Sequence, residues 1–212
     1  MSATPDVCAG AAPAHAGGLF VISGPSGVGK GTLVARVLDR LDDVWLSVSA
    51  TTRPPRQGET DGVSYRFVSD EQFDHLVADD GLLEWAWVHG QRYGTPRAAI
   101  DDRVAAGIRV ILEIDPQGAF QVRERYPQAV LVFIVPPTFS DLEKRLRTRG
   151  TESDEQIARR LQTAQVELSE ANEYDVVIRN DDLEQATADL VDVIESYSSP
   201  GCSGNRSSSH HL

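Results

Sequence analysis

Gly24-Pro25-Ser26-Gly27-Val28-Gly29-Lys30-Gly31-Thr32 follows the apolar run Leu19-Phe20-Val21-Ile22 and precedes Leu33, Val34, Val37, Leu38 and Leu41 at helical spacing. The order is strand, glycine-rich loop, helix, the context a phosphate-binding loop needs. Glycines let the backbone curl until several N–H groups point at one centre, and the helix N-terminus adds partial positive charge there. Lys30 supplies a full charge for the outer phosphates of a nucleotide. A strand-to-helix turn that binds nothing can also be rich in glycine. The spacing of Gly24, Gly29 and Lys30 inside the strand–helix frame favours phosphate. In the usual loop a Ser or Thr directly follows the Lys and its hydroxyl reaches Mg²⁺. Here Gly31 stands in that place and the hydroxyl comes one residue later, on Thr32. The expectation is a Mg²⁺ held mainly by phosphate oxygens and water, which this ion tolerates because it keeps several waters.

A chain of 212 residues suits one α/β domain with small insertions. Its net charge of −12 argues against a general nucleic-acid partner and requires that cations for an anionic ligand be concentrated locally. Cys8 and Cys202 make no disulfide framework or metal cluster, which suits a reducing cytosol. No apolar run approaches the length of a membrane span. Residues 1–18 lack the basic and apolar regions of a secretory signal and are expected to form a disordered extension. The Ser/Gly-rich stretch 198–212 is expected to be a disordered tail, with its His210 and His211 solvated.

Between these ends, strand and helix patterns alternate. Trp45–Ser49 alternates like a strand. The polar, proline-stiffened segment 50–59 carries Arg53 and Arg56, either two surface charges or a paired anion site. Val63–Val68 alternates again. Ser69 opens a helix with Gln72 at the capping-box position and Phe73, Leu76 and Val77 on one face, ended by Gly81. Leu82–Val88 reads as a strand with one acid, Glu84. A turn at 89–92 leads to Tyr93, and Thr95 and Pro96 read as N-cap and first residue of a helix over about 96–106. Residues about 50–95 thus form a partly β insertion, a natural place for a second substrate. Arg109–Asp115 is a buried-type strand ending in acids. In a phosphate-loop protein such acids organise Mg²⁺ and its waters; alternatively they cap the next helix. Ala129–Val135 is the most apolar strand and is expected at the sheet centre. A helix from about Ser140 carries Arg145, Arg147 and Arg149. After Gly150 a second begins, with Ile157, Leu161, Ala164, Val166 and Leu168 mostly inward and with Arg159 and Arg160. The pair reads either as a hinged lid bringing arginines over phosphates or as two charged surface helices. Tyr174–Ile178 is a last strand, and Asn180–Asp182 caps a final helix. The pattern predicts an α/β doubly wound parallel sheet with helices on both faces, a small mixed β insertion and a helical lid over about 145–165.

Over residues 19–196 the chain resembles the guanylate kinases. The likeness rests on GPSGVGKGT (24–32), SVSATTRPPRQGETDGVSYRF (47–67), LLEWAWVHGQRYGT (82–95), ILEIDPQG (111–118), RLRTRGTES (145–153) and VIRNDDL (177–183). It implies a P-loop domain over 19–197, cytoplasmic, that moves the γ-phosphoryl of ATP to GMP or dGMP in purine nucleotide metabolism and GMP recycling. It implies that Arg53, Arg56, Tyr65 and Tyr93 grip the GMP phosphate, and that Glu84 accepts from guanine N1–H and the 2-amino group. Ser49 and Thr95 would donate toward O6, and Asp115 would help hold the amino edge. Lys30, Arg145, Arg149 and Arg160 would surround the migrating phosphoryl, and loop residues Gly24 to Thr32 with Asn180 would bind ATP. Mg²⁺ would bridge the β- and γ-phosphates, with Thr32, Glu113 and Asp115 as the protein groups near it. Two other functions fit parts of the pattern. A binding module of the same ancestry would keep the insertion but lack the working loop; a kinase for another small acceptor would lack the guanine-reading set.

Overall fold

The computed structural model describes residues 17–88, 90–148 and 153–197. The expected terminal extensions, apart from Gly17 and Gly18, lie outside the described residues, as do Arg149 and the hinge at Gly150. Strand β1 (Leu19–Ser23) is buried along its whole length. Phe20 and Ile22 pack on one side of it and Leu19 and Val21 on the other. The two-residue period therefore feeds two cores, as expected of a strand with both faces covered. Helix α1 (Lys30–Leu38) buries Leu33, Val34 and Val37 in the first core. Strand β2 (Val44–Leu46) follows. The pattern over 45–49 stops early as a strand because the chain leaves this sheet after Ser47, whose N–H still bonds Ile111 O.

The next elements form a second sheet. They are β3 (Ala50–Thr51), β4 (Arg66–Phe67), helix α2 (Asp70–Ala78), β5 (Leu82–Val88) and β6 (Gln91–Pro96). The strand order is β4-β3-β6-β5, parallel between β3 and β4 and antiparallel elsewhere. The run 63–68 is strand only at its end, because residues 60–65 close a tight turn with Ser64 N–H bonded to Thr60 O. Helix α2 has the expected capping box of Ser69 and Gln72. Its stop is made by Asp80, which takes the left-handed conformation, while Gly81 N–H closes on Leu76 O. Pro96 pairs with Leu82 as the last residue of β6, so the helix expected from 96 begins later, as α3 (Ala98–Ala105) after Arg97.

Strand β7 (Arg109–Glu113), α4 (Pro116–Arg125), β8 (Val130–Val135), α5 (Phe139–Thr148), α6 (Asp154–Ser169), β9 (Val176–Arg179) and α7 (Leu183–Tyr197) complete the main domain. Its sheet order is β2-β7-β1-β8-β9, all parallel. The central strand is β1; β8 is interior but one place off centre. Helices α1, α5, α6 and α7 cover the first core, and α3 and α4 the second. Val166 is exposed, contrary to its expected inward place. Leu161, Ala164 and Leu168 share a face at spacings of three and four, and Val166 lies two residues from each of the last two.

The second sheet has its own small core of Ala50, Phe73 and Leu82. Phe73 is fully buried and meets Trp85 edge-on at 6.2 Å. Phe73→Ala is expected to cost about 3–5 kcal/mol, read as a lower midpoint in urea unfolding.

Candidate active site

The loop after β1 departs from ordinary backbone conformation at Gly24, Gly27 and Gly29, all at positive φ. At Gly24 a Cβ would also collide with the Ile134 carbonyl oxygen, and at Gly29 it would lie 2.6 Å from Asn180 Nδ2. These positions need glycine for both space and backbone freedom. Curling the N–H groups to one side sends carbonyls the other way, and those of Gly24, Pro25 and Val28 find side-chain donors. Lys30 Nζ donates to Gly24 O at 2.6 Å and Pro25 O at 3.3 Å. Asn180 Nδ2 donates to Val28 O at 2.8 Å, and Arg145 Nη1 donates to the same oxygen at 3.0 Å. Asn180 is buried and sits behind the loop as a brace. Arg160 reaches the loop from α6, with Nη1 3.3 Å from Ser26 Oγ. Thr32 is exposed on the first turn of α1.

A cleft of about 320 Å³ opens between this loop and the second sheet. Gly24, Ser26, Lys30 and Arg160 line it on one side. Ser49, Arg56, Tyr65, Glu84 and Tyr93 line the other, with Glu113 and Asp115 between them. Lys30 and Glu84, 54 positions apart in sequence, thus face one space. Arg53 and Thr95 stand behind this lining rather than in it.

Each acid of the cleft is set differently. Glu84 is 3 % exposed and sits opposite Thr95 across the β5–β6 pair. Thr95 Oγ1 donates to Glu84 Oε1 at 2.5 Å. That bond, rather than a helix cap, is what the Thr95 hydroxyl does. Burial pushes the Glu84 carboxyl up to about 7, against the lowering effect of the Thr95 bond. Asp115 caps α4, its Oδ1 accepting from Gln117 N at 2.8 Å and Gly118 N at 3.2 Å. The capping alternative for this acid is thus what its Oδ1 does. Glu113 lines the cleft at the end of β7; desolvation by the protein around it raises its carboxyl and the Lys30 charge opposes the rise.

Arg53 is held more tightly than a waiting anion receptor. Its guanidinium makes a two-bond pair with Glu59, 2.9 Å for each, and its Nε donates to Tyr93 Oη at 3.1 Å. The Glu59 bond raises the Arg53 pKa well above its ordinary value. Glu59 Oε2 also accepts from Arg56 N at 2.7 Å, so this carboxylate folds the arginine loop on itself. The Arg53 guanidinium lies 5.3 Å from the Tyr65 ring centre, and Tyr65 meets Tyr93 edge-on. Arg56, Tyr65 and Tyr93 therefore stand round one end of the cleft on a frame that Arg53 and Glu59 tie together.

Sequence reasoning missed Glu59 and Glu167. Glu167 lines the cleft from α6, seven residues after Arg160 and so on the same face. Burial pushes its carboxyl up to about 7, and the Lys30 charge opposes this. The two-turn spacing from Arg160 was the available signal.

Residues 17–197 match the family described as guanylate kinase. The chain belongs to the guanylate kinase family. A guanylate kinase of Synechococcus sp. (strain CC9311) is 58% identical over 170 residues, which are 80% of this chain and 90% of that one. A guanylate kinase of Thermobifida fusca (strain YX) is 54% identical over 176 residues, 83% of this chain and 90% of that one. The crystal structure of guanylate kinase from Anaplasma phagocytophilum is 33% identical, covers 89% of each chain and superposes with a TM-score of 0.75.

The raised Glu84 pKa has a defined sign for stability. Its ordinary value is 4.5 and its value in the fold about 7, so the folded state holds the proton more tightly. Its contribution to stability is fully present below pH 4.5 and is lost as pH rises through 7. Glu84→Gln should therefore match the parent near pH 4 and be the more stable of the two at pH 8, by at most about 3 kcal/mol. Denaturant unfolding at the two pH values reads the difference.

Proposed function

We propose that this chain transfers the γ-phosphoryl group of ATP to GMP, giving ADP and GDP. The observation that carries the reading is the single cleft faced by the glycine loop and Lys30 on one side and by the buried carboxylate of Glu84 on the other. A donor phosphate on the loop and an acceptor held by its base at Glu84 would meet in that space. Guanine offers N1–H and a 2-amino group to a carboxylate, whereas adenine offers an unprotonated N1. A buried site built on such bonds discriminates strongly, because the wrong base leaves its polar groups unpaired. Ser49 and Thr95 we assign to the O6 side of the base and Asp115 to the amino edge.

At the phosphate end we assign Arg56, Tyr65 and Tyr93 to direct contact. Arg53 joins them when the incoming phosphate competes with Glu59 for its planar fork. Lys30, Arg145 and Arg160 act on the migrating phosphoryl group. Arg160 supports this by lining the cleft and already touching Ser26, whereas the bonds of Arg145 go to the Val28 and Asn180 carbonyls behind the loop, so its assignment comes from the sequence. Arg149 has the same assignment from sequence alone, one helical turn after Arg145. Residues 24–32 and Asn180 form the ATP side, with Asn180 acting through Val28. No side chain need remove a proton. The second pKa of a phosphate monoester is about 6, so the attacking oxygen is mostly ionised at neutral pH. The protein's work is to align two polyanions and to oppose the charge of the transition state.

Among the described residues no group of three or more acidic, His or Cys side chains is arranged to hold a metal. That donor set fits a Mg²⁺ bound chiefly by phosphates and water, with Glu113 and Asp115, and Thr32 from α1, taking its waters. When bound, the ion would draw charge from the β- and γ-phosphates. The reading extends to dGMP, because every acceptor contact assigned here goes to base or phosphate. The setting is cytosolic purine nucleotide metabolism, where GMP is recycled; no helix among the described residues is long and apolar enough to cross a membrane.

The decisive assay is ATP consumption with Mg²⁺ and GMP, dGMP, AMP, CMP, UMP or dTMP, one at a time. GDP formation with GMP alone among the ribonucleotides is expected. Turnover with a different acceptor would remove the guanine assignment and keep the loop. Lys30→Ala should lower kcat by about 10²–10³-fold with the fold retained. Glu84→Gln should raise the KM for GMP by about 10²-fold and leave ATP binding within about twofold.

A further inference from the structure

Helix α4 grips the outer edge of β5 with one stripe of residues, Gly118, Gln121 and Arg125. The Gln121 side-chain amide pairs with the Trp85 backbone as a neighbouring strand would. Its Oε1 accepts from Trp85 N at 3.2 Å and its Nε2 donates to Trp85 O at 2.8 Å. Arg125 Nη1 donates to Leu82 O at 2.8 Å. These bonds fix the height of β5 above α4 on both sides of Glu84. At Gly118 the helix has no side chain, and the Glu84 carboxylate fills the gap. A Cβ there would lie 2.5 Å from Glu84 Oε2 and 3.0 Å from its Cδ.

We propose that Gly118 is a positioning and specificity-determining residue whose missing Cβ holds the Glu84 carboxylate in its base-reading place. This rests on the reading of Glu84 given above. The backbone does not ask for glycine at 118. It is the third residue of α4, in the first turn, with none of the positive φ seen at other glycines. Alanine is the better helix former, so the backbone gives no reason for glycine here, and the space that a Cβ would take is the Glu84 carboxylate's. The two oxygens of Glu84 are then held by different means. Oε1 receives the Thr95 hydroxyl and Oε2 occupies the hollow over Gly118. An alanine at 118 cannot push β5 away without breaking the Gln121 pair. The least costly response is rotation of the Glu84 side chain out of the hollow. The fold survives that response and the alignment of the carboxylate does not.

The test is a cycle of Gly118→Ala, Glu84→Ala and the double variant, with steady-state kinetics and urea unfolding on each. Gly118→Ala is expected to raise the KM for GMP about tenfold or more, with ATP binding within about twofold of the parent and stability equal or higher. In the Glu84→Ala background the same substitution should change the KM for GMP by less than about twofold, since no carboxylate is left to displace. An equal rise in both backgrounds would overturn the proposal, because Gly118 would then act on something else. An unchanged KM in Gly118→Ala beside a raised one in Glu84→Ala would overturn it too, and would leave the reading of Glu84 standing. An unchanged KM in Glu84→Ala would remove that reading and the proposal with it. If Gly118→Ala does not fold, the double variant decides. Folding restored by Glu84→Ala supports the clash, and a double variant that also stays unfolded overturns it.

Discussion

A loop that aims its N–H groups at a ligand must settle its carbonyls elsewhere, and this constraint organises the main domain. A buried carbonyl without a donor costs about as much as a lost hydrogen bond. The Val28 carbonyl shows the solution. It accepts from Asn180 Nδ2 and Arg145 Nη1, while the Val28 side chain is fully buried in the first core. Asn180 follows β9 and Arg145 lies on α5, so three distant parts of the chain converge on one oxygen. The bond from Arg145 to Asn180 O closes the triangle. Gly29 is needed because Asn180 must come this close. The loop is thus rigid on its inner side and open toward the cleft, the pre-organisation that phosphate binding requires.

The electrostatics of the cleft follow from the same economy of positive charge. The chain is strongly acidic, and besides Glu84 three carboxylates, Glu113, Asp115 and Glu167, share the cleft with Lys30. Burial raises Glu113 and Glu167, and the lysine charge opposes both rises. Lys30 is therefore a shared counter-charge before any ligand arrives. On the proposed reading, phosphates take over that charge and leave the acids to a Mg²⁺ and its waters or to protons. Arg53 shows the same pattern at the other end. Glu59 holds its fork in the arrangement a phosphate would use, so part of the ordering is done before the acceptor binds.

Features carried by a contiguous stretch were legible in the sequence. The glycine loop, the buried acid of β5, the capping box at Ser69 and the alternation of strand and helix each have a local physical cause. What was not legible depends on partners remote in sequence or on direction. Thr95 and Pro96 have the residue types of a helix start, but their ladder with Leu82 and Glu84 decides for strand. Val63 and Ser64 alternate correctly and still form a turn, because the hydrogen bonds of Thr60 close it first. The central place of β1 is a matter of topology, which the apolarity of β8 does not encode. Glu59 looks like one surface acid among many until Arg53 is seen beside it. Gly118 looks like a weak helix residue until the Glu84 carboxylate is placed over it.

Gly31 bears on how the proposed ion is held. A Cβ at this position would lie 3.5 Å from each Glu113 carboxylate oxygen, which is ordinary contact. Gly31 is also absent from the glycines at positive φ, so the backbone accepts any residue there. Neither space nor conformation therefore excludes the hydroxyl that most such loops carry after the lysine. Its absence leaves the Glu113 carboxylate as the polar group facing the start of α1, exposed to the cleft and next to Lys30. A carboxylate carries a full charge where a hydroxyl carries a dipole, and it reaches an ion as readily through water as directly. The acid at the end of β7 thus lies in ordinary contact with the place a side chain at 31 would take. On the proposed reading, Glu113 would then hold a Mg²⁺ through its waters, in place of a hydroxyl ligand at position 31.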